Sequence, residues 1–175
     1  LFIKVPQDLF DRKVKNIYLR AVADTFGDVP CSVVNDGDVS ALAGAVSLES
    51  NNVLGIVMCI SEAVGFLDEN GCITGWLNEL AFAPVDGSPD AMCDEWSGDI
   101  GCGVKYFSQD SVIKLAPAAG IALEDSLSPA EKLKVVQKLM EAEDPRAAGI
   151  YRSIGVYLAP SLALYWSFYR FPHVL

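Results

Sequence analysis

Residues Val53 to Ile60, VLGIVMCI, form an unbroken apolar run of strand length, and this run narrows the possible folds more than any other feature of the chain. A strand without a polar face has to be covered on both sides, as a central strand of a layered α/β domain is. Helices must supply the cover, and helical signals lie on either side of the run. Leu9, Phe10, Val14, Ile17, Ala21 and Val22 recur at helical spacing within residues 6–26, and Gly27 follows as a C-cap. Ser128-Pro129-Ala130-Glu131 is a capping box with proline at the first helical position, which predicts a helix to about Ala142. Asp144-Pro145 opens another in the same way, running to about Tyr169, and Pro172 separates it from a closing strand, His173-Val174-Leu175.

The remaining segments complete an alternating order. After Pro30, Ser32-Val33-Val34 predicts a short buried strand that stops at Asn35-Asp36-Gly37-Asp38, and an alanine-rich helix follows from Val39 to Leu48. This puts a carboxylate at the carboxyl end of a strand, the edge where ligands gather in open α/β sheets. Ala63 to Leu67 is expected to pair with Ile73-Thr74 around the Asn70-Gly71 turn. Residues 75–99 show no periodicity, and so long a loop in a compact domain is more often functional than idle. Ile100 to Ala116 is expected to be helical. The order predicts an α/β fold with a mixed sheet flanked by helices.

Composition excludes several classes. A length of 175 residues fits a single domain spanning 1–175, and 51% hydrophobic content argues against disorder. With a net charge of -10 and no basic run beyond Asp11-Arg12-Lys13-Val14-Lys15, the chain lacks the positive surface that nucleic acid requires. Five cysteines make no disulfide framework, and no signal-peptide pattern opens the chain, so a cytoplasmic setting is expected. Ile154 to Tyr169 is apolar but falls short of the ~20 residues of a membrane span. Pro160 interrupts it and Arg152 and Arg170 bracket it, so it reads as a buried helix. The start at Leu1 without Met, and the end within an apparent strand, predict a piece of a longer protein.

Four segments, in order, resemble the ROK family of sugar kinases. Val33 to Ala45 (VVNDGDVSALAGA) is similar to the family's E-N-D-A-N-x-x-A-L-A-E-A, and Gly75 to Phe82 (GWLNELAF) to its G-x-x-G-E-x-G-H. Gly98-Asp99-Ile100-Gly101-Cys102, with Tyr106 and Ser108, resembles C-G-x-x-G-C-L-E-x-x-x-S, and Pro172-His173-Val174-Leu175 resembles N-P-x-x-I-V-L-G-G. The resemblance implies a ribonuclease H-like, actin-like ATPase fold, this chain being the C-terminal, larger lobe of a two-lobed kinase. It implies ATP with Mg as cofactor, a hexose as substrate and Asp36 as general base. Asn35, Glu79 and Asn78 would contact the sugar, and Ser61 and Gly65 the nucleotide. A homodimer is also within the family's habit. By position alone, Asp36 is a turn and helix-capping residue, Asn35 an Asx-turn residue and Glu79 a solvated loop carboxylate.

The departures from the pattern carry equal weight. Where the family has the phosphate loop G-T-G-x-G-x-G, this chain has Cys59-Ile60-Ser61-Glu62-Ala63-Val64-Gly65, keeping one glycine and setting Glu62 where a polyphosphate would lie. The family's sugar-binding His falls at Phe82 and its second sugar-binding Glu at Val104. Asp86, Asp90, Asp94, Glu95 and Asp99 could replace the lost polar contacts, or form a solvated acidic loop. The family's structural zinc needs three Cys and one His; here Cys93 and Cys102 stand alone in that region, and no zinc is expected. A sugar-sensing or catalytically degenerate regulatory domain is therefore the alternative to a kinase.

Overall fold

The structure, a computed structural model, describes residues 5–175. It divides into two compact units, Leu1–Asn35 and Asp36–Leu175.

In the first unit the expected single helix is broken. A turn of helix α1 (Gln7–Leu9) passes into a π-helical turn, Phe10–Val14, and a separate helix α2 spans Ile17–Phe26. Lys15 is extended and Asn16 takes left-handed backbone angles (φ 57), which asparagine tolerates better than most residues. Arg20 bridges the break, its guanidinium donating to the carbonyls of Arg12 (3.3 Å) and Lys13 (2.9 Å). Gly27 ends α2 as expected, at φ 77. Ser32-Val33-Val34 forms no strand; residues 28–35 have no regular structure and both valines are exposed. A β-branched run becomes a strand only when another strand pairs with it, and among the described residues none pairs with this one.

The second unit is built on a three-stranded mixed sheet. Strand β1 (Val53–Met58) lies in the centre, antiparallel to β2 (Glu62–Leu67) and parallel to β3 (His173–Val174). Leu175 continues the β3 ladder, donating to Leu54 O (3.0 Å) and accepting from Ile56 N (2.8 Å). The strong hairpin is thus β1–β2 around Cys59–Ser61. The Asn70-Gly71 turn does form, with Asp68 accepting from the amides of Asn70 and Cys72, but only Leu67 and Ile73 pair beyond it.

Both faces of β1 are covered. Helix α3 (Asp36–Leu48) lies on one, where Ala41, Ala45, Val53 and Leu67 form a buried cluster. The contact is close because glycines permit it: a Cβ on Gly65 would collide with the backbone of Gly37 and Asp38, and one on Gly55 with the backbone of Ala41. On the other face Leu54, Val64 and Phe66 pack against Tyr165 of helix α6 (Pro145–Tyr169) and Phe171. A second core joins the amino-terminal part of α6 to α4 (Gln109–Ala118) and α5 (Pro129–Glu141) around Phe107, Val136 and Ile150.

The caps of α5 and α6 match expectation. Glu131 N donates to Ser128 Oγ and Ser128 N to Glu131 Oε2, while Asp144 accepts from Arg146 N. Helix α6 runs through Pro160 without ending. The helix expected from Ile100 instead starts at Gln109, capped by Ser108; before it come Gly101 at φ 72 and a 3-10 turn, Gly103–Lys105. No helix among the described residues is long and apolar enough to cross a membrane.

Candidate functional site

The first turn of α3 carries two carboxylates with different surroundings. Asp36 opens the helix and is exposed; one carboxylate oxygen accepts from the amide of Gly37 at 3.0 Å. Asp38, one half-turn on, is buried, and its Oδ1 accepts from Asn78 Nδ2 at 3.4 Å. Asn35 is exposed and belongs to the first unit.

Asn78 reaches Asp38 because the loop before it is pinned to the sheet. Trp76 stacks on Phe66 of β2 (ring centroids 5.6 Å apart, 18° between planes), and Tyr169 at the end of α6 meets Phe66 edge-on at 5.1 Å. Tyr169 Oη then donates to Asn78 Oδ1 at 3.1 Å. Both ends of the Asn78 amide are therefore engaged inside the protein, and the residue is only 8% exposed. This side chain, expected at the sugar, is in the structure an internal bridge between α3 and α6. Glu79, its neighbour, is exposed.

The residues expected at a nucleotide lie in and beside the β1–β2 hairpin. Ser61 is exposed in the turn, which closes on itself through Cys59 N donating to Ser61 O (3.0 Å). Gly65 is buried in mid-β2 opposite Gly55, and the close approach it allows is that of Gly37. Glu62, which the motif comparison sets near a polyphosphate, is buried. Its position in β2 turns it toward α6, where it is 5% exposed with neither carboxylate oxygen hydrogen-bonded. A Cβ on Gly103 would strike Glu62 Oε2, so this carboxyl lies directly beneath the 3-10 turn. Burial pushes its pKa up to about 7, and the neighbouring Tyr165 hydroxyl is likewise buried.

The acidic loop is largely self-contained. Asp86 accepts from Tyr106 Oη (2.7 Å) and Ser88 N (2.9 Å), and these bonds hold its carboxyl below the usual range. Asp94, buried, accepts from Ser97 N at 2.8 Å and is lowered by that bond. Lys105 pairs with both Glu95 (2.7 Å) and Asp110 (3.0 Å). Asp90 and Asp99 are exposed. Phe82 leans on Trp96 with centroids 5.8 Å apart, and Val104 is half-buried. Cys93 is exposed and Cys102 buried, and among the described residues no three His, Cys, Asp or Glu side chains are placed to hold a metal ion.

Two clefts, of about 590 and 370 Å³, lie between the 86–95 loop and the helices. Neither is lined by Asp36, Asn78 or Glu79. Sequence reasoning missed Asp38, Tyr169 and Lys105, each of which takes its partners from distant parts of the chain or from a turn with no periodic signature.

The sequence matches no protein-family model and no curated protein. Solved structures do match. A ROK hexokinase from Thermus thermophilus is 16% identical with a TM-score of 0.66, over 90% of this chain and 51% of that one. A ROK glucokinase from Streptomyces griseus, solved with glucose and AMPPNP, is 21% identical with a TM-score of 0.66, over 89% of this chain and 54% of that one. A ROK family transcriptional regulator, a homologue of the E. coli MLC protein, is 18% identical with a TM-score of 0.68, over 89% and 40%. The chain therefore has the fold found in ROK proteins, kinases and a regulator alike, and spans about half the length of these structures.

Proposed function

We propose that the chain is the larger, C-terminal lobe of a ROK-type sugar kinase with a ribonuclease H-like fold, and that Asp36 is its general base. The observation that carries this reading is the exposed carboxylate at the start of α3, directly after Asn35, in a chain whose fold matches a ROK hexokinase and a ROK glucokinase over about nine-tenths of its length. Phosphoryl transfer to a sugar needs one carboxylate within hydrogen-bond reach of the attacking hydroxyl, together with groups that orient the sugar. Asp36 takes the hydroxyl proton as that oxygen becomes the nucleophile. Glu79, exposed beside the bridged Asn78, accepts from a second hydroxyl, and Asn35 is the further sugar contact that the motif supplies.

The residues of this chain fit ATP and Mg poorly. A phosphate loop presents free backbone N–H groups between glycines. Here the turn closes on itself, Gly65 is covered by α3, and the nearest carboxyl, Glu62, is buried. The same observation favours a second reading, a cytoplasmic sugar-responsive regulatory lobe without catalysis.

One experiment separates the two: ATP-dependent phosphorylation by the full-length protein across a panel of hexoses and amino sugars, beside Asp36→Asn. Turnover with one sugar, reduced in the variant by about 10²- to 10⁴-fold, is the kinase outcome. No turnover with any sugar, in a folded protein, rejects the kinase in favour of the regulatory lobe.

A further inference from the structure

The bridge Tyr169–Asn78–Asp38 joins the segment carrying Asp36 to the segment carrying Glu79. Tyr169 Oη donates to Asn78 Oδ1 (3.1 Å), and Asn78 Nδ2 donates to Asp38 Oδ1 (3.4 Å). Asp38 and Asn78 are each 8% exposed, so the second bond is made largely out of water, where its loss leaves a carboxylate without its donor. The three residues come from the first turn of α3, the loop after Gly75 and the last turn of α6. Asp36 lies two residues before Asp38, and Glu79 one residue after Asn78.

Asn78 also has an unusual backbone, with φ 52. In the motif that residues 75–82 resemble, this position is glycine, the residue that adopts such angles most readily. Asparagine is among the few others that tolerate them, and it adds a side chain carrying both a donor and an acceptor. Each half of that amide finds a complementary group, the buried Asp38 carboxylate and the half-buried Tyr169 hydroxyl. The rest of the loop is held to β2 through Trp76 on Phe66, a stacking contact that orients the loop but makes no bond to α3.

We propose that Asn78 is a positioning residue: its amide locks the 75–79 loop to the first turn of α3 and so fixes Glu79 relative to Asp36. The consequence for a ligand rests on the kinase reading; the lock itself does not. Its role differs from that of a sugar contact, because these two bonds join parts of the protein to one another.

The test is amide hydrogen exchange in the 175-residue chain, read at residues 36–40 and 75–80. Asn78→Gly keeps the backbone angle without strain and removes only the bridge. Both segments are expected to exchange at least about tenfold faster, together, while the segments of α4 and α5 are unchanged. Asn78→Asp sets two carboxylates against each other and is expected to do the same. The double variant Asp38→Asn/Asn78→Asp reverses donor and acceptor and still leaves an acceptor for Tyr169, so protection is expected to return. Unchanged exchange at residues 36–40 in Asn78→Gly, or a double variant that exchanges as fast as Asn78→Asp, overturns the proposal. A titration of the full-length protein with the same panel of hexoses and amino sugars, beside Asp36→Asn, tests the kinase reading separately. Absence of binding by any sugar counts against that reading, while the exchange result decides the lock.

Discussion

Glu62 is the residue whose environment and chemistry are most at odds. Neither carboxylate oxygen has a hydrogen-bond partner among the described residues, and Gly103 leaves just enough space above it. Ionising it in place is costly, which is why its pKa rises to about 7. The folded state therefore holds a proton that the unfolded chain releases near its ordinary value of 4.5. Stability from the protonated form is fully present below about pH 4.5, declines as pH rises, and is gone above about pH 7. The span corresponds to roughly 3 kcal/mol. Urea unfolding of wild type and Glu62→Gln at pH 4.5, 6 and 8 is expected to give similar stabilities at the lowest pH and a more stable variant at pH 8. A difference that does not grow with pH would mean that the carboxyl reaches water.

At the scale of elements, α3 is set by its glycines and α5 by its cap, and the two respond differently to change. Gly65→Ala places a methyl group in the backbone of Gly37 and Asp38, which neither helix nor strand can vacate without separating. The cost is expected at about 2–3 kcal/mol, visible as a lower urea midpoint, with loss of protection centred on α3. Ser128→Ala removes a reciprocal cap on an exposed turn and is expected to cost only about 1 kcal/mol, read in the same way. This contrast also explains what was legible in the sequence. Ser128, Glu131 and Asp144 bond to residues two or three positions away, so the limits of α5 and α6 could be read directly. The β1–β2 pairing could not, because the apolar run at Val53 says that a strand exists but not which neighbour it takes. Val33 and Val34 failed for the same reason, having strand-forming side chains and, among the described residues, no strand paired with them. At the candidate site, Asp36 and Glu79 stood in readable motifs, whereas the use of Asn78 depends on Asp38, 40 positions away, and Tyr169, 91 positions away.

Across the whole molecule, the second unit holds two cores with different dependence on the chain's last residues. The Phe107–Val136–Ile150 core is made by α4, α5 and the first half of α6, all within residues 106–154. The sheet core is closed by Phe171 and by β3, which pairs with β1 about 120 positions earlier. Leu175 also packs on Gly44 of α3, and Asn52 Nδ2 donates to Arg170 O at 3.2 Å. Ending the chain at Tyr169 would remove these contacts together, exposing one edge of β1 and the face of Leu54. Because Phe171 and the β3 ladder act only on the sheet core, the loss should be uneven. Hydrogen exchange on such a truncated chain is expected to show α3, β1 and β2 exchanging near the rate of unfolded peptide, with α4 and α5 still protected. Uniform loss of protection would mean that the two cores fold as one cooperative unit, and that the sheet, despite its few strands, holds the helices in place.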